Sequence, residues 1–567
     1  MSAPDERNPL PPTEPVAGGF LKQYRDGSRD TDGPFSRWVA LVALLVLCGV
    51  LFFMGLGNRP LWDGDEGLHA STSREMVESG DWVTPRANGV AFFDKPAFFN
   101  WLVAGSYKVF GFTEFASRLP AALLGTLIVL ATWFFGRRMY GATTGFLSAV
   151  ALATSMQFIV LSRTVVHDIA LCLFITLVMG CFFMAFERPT ERGRWMLGVY
   201  VFSALAVLSK GPIGVLLPGL LVVVFLIFRK RLDFILKSRL ITGTLVFLLI
   251  AVPWYVLVAL RNQEFAEHFF LGQNVGYFFG GGGEAGHPKP WYHHVPNLLG
   301  GFFPWSLFLP TALIVAFRRL RAGKRDADLY VLIWAGVVFV FFSMAESKLG
   351  TYIMPMFPAC ALLIGSLWPD LMFELKTSRI RVGVLIPLGF LAGLVLVALL
   401  VFLVHPIAEW NQKYGVDLMR VNLLALIISF FAALAFALGW VRRYLAAFAA
   451  VAVIPVVAIL FFLYAIAPAI NPYRTSRTLA FQLDLYLPED ERMVFFGEEF
   501  DSAYFYTGRQ AVILEEPWEL EALLASPDTA YCIIDRRLME TFEQQPEPLH
   551  ILGREGHKLL LSNQPEL

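Results

Sequence analysis

The chain of 567 residues is 56% hydrophobic and 15% aromatic but only 16% charged, against roughly 25% charged in an ordinary soluble protein. Its 46 basic residues balance 46 acidic ones, and mean hydropathy is +0.58. A soluble, disordered or fibrous protein is excluded, no basic excess calls for nucleic acid, and the expected class is an all-α polytopic membrane protein.

Residues 1–37 are polar and rich in Asp, Arg, Pro and Gly. They read as a disordered cytoplasmic tail, without the basic start and apolar core of a cleavable signal peptide. A membrane span needs about 20 mainly apolar residues, because unpaired backbone groups in lipid cost several kcal/mol each. Runs of that kind lie at 38–57, 119–136, 139–162, 169–186, 195–209, 211–228 and 240–260. Others follow at 298–317, 329–345, 349–369, 382–404, 421–440 and 444–470. They predict about thirteen transmembrane helices in a domain over 38–470. Only Lys210 separates the short runs 195–209 and 211–228.

Basic residues in short loops orient the bundle. With the N-terminus in the cytoplasm, Arg137-Arg138, Arg188 to Arg194, Arg229 to Arg239, Arg318 to Arg325, Lys376 to Arg381 and Arg442-Arg443 all fall inside. The segments 58–118, 163–168, 261–297, 346–351 and 405–418 then face outward with most of the His, Trp and carboxylate residues, so the outer face is the working face. Trp291, Tyr292 and Trp305 are expected in an aromatic belt at that interface.

After residue 470 the composition turns soluble. Met493–Phe496, Ala511–Leu514 and Tyr531–Ile534 read as buried strands, with helices over Ser502–Thr507 and Pro517–Ser526 between them. Residues 471–567 are thus predicted as a small α/β domain, extracytoplasmic because the number of spans is odd. The five cysteines form no CxxC, which supports neither a disulfide framework nor a thiolate metal site.

The first outer segment carries Asp63-Gly64-Asp65-Glu66-Gly67-Leu68-His69, Ser73-Arg74-Glu75-Met76, Gly80-Asp81-Trp82 and Phe93-Asp94-Lys95-Pro96. Farther on stand Arg163 with His167-Asp168, Ser209-Lys210-Gly211-Pro212, and Ser347-Lys348-Leu349 with Thr351-Tyr352 and Pro355. In this order the set resembles the aminoarabinose (lipid A) transferase and protein O-mannosyltransferase group of GT-C membrane glycosyltransferases. The resemblance covers about residues 38–470, and more weakly the tail through Phe505–Arg509.

The resemblance implies a multi-pass enzyme of the cell (inner) membrane that moves a sugar from a polyprenyl-phosphate donor to a lipid, glycan or protein acceptor on the outer face. Its partners would be that donor, the acceptor and membrane lipids. The transfer needs a carboxylate to take the acceptor's proton, and cations for the anionic leaving phosphate. Asp65 is the expected base and Asp168 the second carboxylate; Lys95, Lys210, Lys348 and Tyr352 are expected at the phosphate. Glu66, His69 and Arg74 complete the expected substrate-binding set, and a salt bridge to Glu75 or Glu78 is the competing reading of Arg74. No cofactor is demanded, although Asp94 with His268 is the pair the group suggests for a divalent metal.

Leu68-His69 stands where the aminoarabinose branch has Arg-Tyr, and Gln273-Asn274 where it has a further Arg, so sugar and acceptor stay open. The competing reading is a polyprenyl-lipid flippase or transporter, which would carry ionisable groups near the bilayer midplane. The runs 382–404, 421–440 and 444–470 carry none.

Overall fold

The computed structural model describes residues 37–276, 288–323, 326–373, 378–404, 418–488, 490–539 and 549–565. The tail 1–36, residues 277–287 of the segment 261–297, and residues 405–417 lie outside the described residues.

Among the described residues, seven helices are long and apolar enough to cross a membrane, including Glu114–Tyr140, Asp168–Glu187, Leu240–Arg261, Asp326–Met344 and Gly350–Met372. Shorter apolar helices occupy Arg37–Phe53, Ala142–Ala153, Ile213–Phe228 and Ile380–Leu394. Arg192–Lys210 is a further helix, separated from Ile213–Phe228 by Gly211-Pro212.

Two apolar runs are not straight. The run 298–317 becomes Trp291–Gly301 and Trp305–Arg321, bent by 109°; Pro304 lies in the break and has no N–H with which to continue the helix. The run 139–162 breaks at Thr154-Ser155, where Thr154 Oγ1 donates to the Val150 carbonyl at 2.6 Å and Ser155 Oγ to that of Leu152 at 2.9 Å. Such bonds compete with the helical ladder. Trp305 corrects the aromatic-belt expectation: it is fully buried, and its Nε1 donates to Thr154 Oγ1 at 2.9 Å.

Burial sorts the helices. Asp168–Glu187 is 89% buried and Gly350–Met372 83%, whereas Leu240–Arg261 is 22% and Val421–Trp440 17%. The first two form the centre; the last two turn most of their apolar surface outward. At one end of the centre, Phe182, Phe183, Phe225 and Tyr330 pack with ring centroids 5.0–6.2 Å apart.

The first outer segment is itself structured. It holds helices Asp65–Ser79 and Phe98–Phe110, with a two-stranded hairpin of β1 (Arg86–Ala87) and β2 (Val90–Ala91) between them. The next helix begins at Glu114 rather than at 119, because Thr113 caps it by accepting from the Ala116 N–H at 3.1 Å.

The C-terminal part is a five-stranded mixed sheet in which Ala511–Leu514 (β4), Met493–Phe496 (β3), Tyr531–Asp535 (β5), Lys558–Ser562 (β7) and His550–Glu555 (β6) lie side by side in that order. β3 (Met493–Phe496) lies parallel to β4 (Ala511–Leu514) and β5 (Tyr531–Asp535). β6 (His550–Glu555) and β7 (Lys558–Ser562) add an antiparallel hairpin that the sequence reading omitted. Helices Arg477–Tyr486, Asp501–Thr507 and Pro517–Leu524 accompany the sheet, the last started by a Glu516/Glu519 capping box.

Candidate functional site

The site starts at the head of helix Asp65–Ser79. Gly64 precedes it at φ +84°, ψ −147°, a conformation open in practice only to glycine. Two adjacent carboxylates follow in the first turn and point in different directions around the helix. Asp65 is exposed, while Glu66 is buried. Arg118 donates to Glu66 from Nε at 2.8 Å and Nη2 at 2.9 Å, and Arg59 Nη2 donates at 2.9 Å. The Trp62 N–H adds a contact at 3.2 Å. Burial alone would raise the Glu66 carboxyl, but the two guanidinium groups overcome it and hold it down at about 2. Arg118 also donates to the carbonyls of Leu56, Arg59 and Pro60, tying the approach to the helix in place. Glu66 is therefore engaged by Arg59 and Arg118 beneath the protein surface, next to the exposed Asp65.

One turn along, the buried His69 ring lies 4.4 Å from the ring of His167. His167 Nε2 is 2.8 Å from Asn100 Oδ1, and Phe99 packs 5.0 Å from the His167 ring. Burial pushes His69 down to about 4, opposed by Asp65, Asp168 and Asp94 and assisted by Lys95. Burial also holds His167 well below the usual imidazole range, with His69, Lys95 and Lys210 adding to the effect. Both rings are neutral at physiological pH.

Opposite them stand the cations. Lys95, after the β1–β2 hairpin, is lowered by burial and then by Lys210, while Asp94, Asp168 and Asp65 pull it up. Lys210 ends helix Arg192–Lys210, and Asp168 begins helix Asp168–Glu187; the two form an ion pair. Lys210 Nζ also lies 4.1 Å from the centroid of the Tyr352 ring. Asp65, His69, Lys95, Asp168, Lys210 and Tyr352 are thus drawn together from separate segments of the chain.

The remaining expected residues go elsewhere. Lys348 is buried, and its Nζ donates to the carbonyls of Lys289 at 2.8 Å and Glu346 at 3.4 Å, beside a bridge between Pro288 and Ser347. Arg74 donates to Glu78 at 2.7 Å and to the Phe505 carbonyl at 2.5 Å, so it joins the first outer segment to the C-terminal part. His268 Nε2 approaches Asp94 Oδ1 at 3.4 Å. Among the described residues no group of three or more His, Cys, Asp or Glu gathers. That pair alone supplies fewer ligands than the three or four of a zinc site.

Sequence reasoning missed Asn100 and the Arg59–Arg118 clamp. A signal was present for each: Asn100 interrupts an apolar helix, and Arg118 stands at the edge of an apolar run, where such groups need a partner.

This arrangement can bind a phosphate on two ammonium groups and a phenol, and it keeps a solvent-accessible carboxylate nearby. A model of the dolichyl-phosphate-mannose-protein mannosyltransferase family matches residues 94–256. Undecaprenyl phosphate-α-4-amino-4-deoxy-L-arabinose arabinosyl transferase 1 of Pseudomonas fluorescens is 30% identical over 401 residues, 69% of this chain and 71% of the relative. Transferase 2 of the same species is 29% identical over 402 residues, 70% of this chain and 68% of the relative. The crystal structure of ArnT from Cupriavidus metallidurans bound to undecaprenyl phosphate superposes with a TM-score of 0.77 at 25% identity, covering 92% of this chain and 98% of that one. The archaeal oligosaccharyltransferase AglB from Archaeoglobus fulgidus, at 12% identity and a TM-score of 0.51 over 91% of this chain and 70% of that one, shares the fold alone. The chain is a multi-pass membrane glycosyltransferase and belongs to the undecaprenyl phosphate-α-4-amino-4-deoxy-L-arabinose arabinosyl transferase family.

Proposed function

We propose that the chain transfers a glycosyl group from an undecaprenyl-phosphate donor to an envelope acceptor, a lipid, glycan or protein, on the outer face of the inner membrane. The observation that carries this reading is the juxtaposition of Lys95 and Lys210 with Asp65 and Asp168. The phosphate lies between Lys95 and Lys210, with the Tyr352 hydroxyl as a further donor. Asp65 removes the proton from the acceptor hydroxyl. That oxygen then bonds to the anomeric carbon as the carbon–phosphate oxygen bond breaks, and undecaprenyl phosphate departs with the bonding electrons. Attack from the face opposite the phosphate inverts the anomeric centre. Neutral His69 and His167 beside the sugar offer hydrogen bonds without competing for the phosphate charge.

In this reading the bundle crosses the membrane thirteen times with the N-terminus in the cytoplasm, and the sheet domain over 471–567 lies outside. Support comes from charge: Arg137 and Arg138 end helix Glu114–Tyr140, and Arg318, Arg319 and Arg321 end helix Leu309–Arg321, the arginine clusters that the positive-inside rule assigns to the cytoplasm. A flippase is disfavoured, since the relatives are named transferases.

Purified protein supplied with undecaprenyl phosphate-linked 4-amino-4-deoxy-L-arabinose, mannose or glucose should release undecaprenyl phosphate from one of them. Asp65→Asn should slow that release by about 100-fold or more. Turnover at the parental rate would remove Asp65 as the base.

A further inference from the structure

The C-terminal sheet domain grips the chain at the residues that lead into Asp65. Asp63 is held from three points: its carboxylate accepts from the Ser502 N–H at 2.9 Å, from Ser476 Oγ at 3.0 Å, and from Lys558 in an ion pair. Lys558 is buried, and its Nζ also donates to the Thr475 carbonyl at 2.6 Å and to Ser476 Oγ at 3.0 Å. Asp501 Oδ2 accepts from the N–H of Gly64 at 3.1 Å. The Asp63 N–H donates to the Arg474 carbonyl at 2.7 Å.

The neighbouring positions repeat the pattern. The Leu61 N–H donates to Tyr506 Oη at 2.8 Å, and Trp62 Nε1 donates to Asn471 Oδ1 at 3.0 Å. Gly67 lies so close to helix Asp501–Thr507 that a Cβ there would stand 2.7 Å from the Ser502 nitrogen and 2.9 Å from the Asp501 carbonyl carbon. Every residue from 61 to 64, and Gly67 beyond them, meets the distal domain. Lys558 and Asp501 are buried and Asp63 is half-buried, so these are not incidental surface contacts.

We propose that the C-terminal domain is a working part of the transfer site, in which Asp501 and Lys558 are positioning residues that hold Asp63 and Gly64 so that Asp65 keeps its orientation toward the acceptor. The inference rests on the reading of Asp65 as the base. Gly64 occupies a conformation reached by rotation about two free dihedrals, so without an external hold the carboxylate of the next residue would sample many directions. A near-attack geometry tolerates little such freedom. The bond from Gly64 to Asp501 and the ion pair from Asp63 to Lys558 remove it.

The test uses the full-length protein in detergent or nanodiscs, undecaprenyl phosphate as binding probe, and whichever of the three undecaprenyl-phosphate sugars the parent uses fastest. Lys558→Met and Asp501→Ala should each lower kcat by about tenfold or more, with donor KM and undecaprenyl phosphate affinity unchanged within about twofold. Lys558→Arg and Asp501→Asn, which keep a cation and an acceptor, should restore most of the rate. Deuterium exchange of the peptide 61–70 should quicken in Lys558→Met while peptides from Asp168–Glu187 stay as in the parent. The double variant Asp65→Asn/Lys558→Met should be no slower than Asp65→Asn alone, because Lys558 acts through Asp65.

Parental kcat in both Lys558→Met and Asp501→Ala, with an inactive Asp65→Asn, overturns this inference and leaves the base reading intact. An Asp65→Asn protein as fast as the parent overturns the base reading itself. Should Lys558→Met lose both its melting transition and its undecaprenyl phosphate binding, the Asp501→Ala and Asp501→Asn pair decides the matter alone.

Discussion

Asp168 and Lys210, which form an ion pair, stand at complementary ends of two neighbouring antiparallel helices: Asp168 begins one and Lys210 ends the other. Peptide dipoles favour an anion at the first position and a cation at the second. Each charge is thereby supported twice, by its partner and by its own helix. The pair holds the Lys210 ammonium beside Tyr352 without leaving either charge alone.

Lys210→Ala removes the phosphate cation and strands Asp168. Undecaprenyl phosphate binding should weaken by about 30-fold, equivalent to ~2 kcal/mol. Titration of the purified protein with undecaprenyl phosphate measures this, and unchanged affinity would exclude Lys210 from the phosphate site.

Glu66 answers to a different assay. Its replacement by Ala leaves Arg118 buried without a carboxylate partner, a change that costs about 3–5 kcal/mol in comparable settings. Thermal unfolding should register a large loss, whereas donor KM in the surviving folded fraction should stay within about twofold. A selective rise in KM with parental stability would return Glu66 to the substrate.

Asp501 makes stability depend on pH. Burial first, then Glu499 and Asp63, raise its carboxyl to about 7. A carboxyl raised in the folded state holds its proton more tightly than the unfolded chain does. Its contribution is therefore complete below pH ~4 and lost as pH rises through about 7. Asp501→Asn keeps the shape and never ionises. Its melting temperature should match the parent near pH 4 and exceed it near pH 8; equal temperatures at both would contradict the shift.

Gly67→Ala places a methyl group against the backbone of Asp501 and Ser502, which cannot swing aside as a flexible side chain would. We expect a loss of about 1–3 kcal/mol, typical of overpacking. Deuterium exchange should quicken in peptides on both sides of the contact, residues 61–70 and 500–508. An unperturbed exchange pattern would show that the two parts separate readily.

Much of the fold was legible because lipid imposes a simple rule, that backbone groups must bond within their own helix. The helices Asp168–Glu187 and Asp326–Met344 fall within a few residues of their apolar runs. Hydropathy did not register Thr154-Ser155 or Pro304, since breaks made by side-chain hydrogen bonds or a missing N–H leave the average unchanged. Asp65, Asp168, Lys95, Lys210 and Tyr352 stand out in the sequence by residue type and position, and the structure draws them together. What the sequence did not show is the set of partners that Glu66, Arg74 and Lys348 find, because Arg118, the Phe505 carbonyl and the Lys289 carbonyl lie 52, 431 and 59 positions away along the chain. No local pattern announces such pairings.

The low burial of Val421–Trp440, 17% against 89% for Asp168–Glu187, divides the molecule into regions of unequal evolutionary freedom. Where a side chain meets only fluid acyl chains, exchanging Leu for Ile, Val or Phe swaps one oily contact for another and disturbs no jigsaw fit. Substitutions on that rim therefore meet little constraint, whereas those in the interior of the bundle require neighbouring residues to change in step.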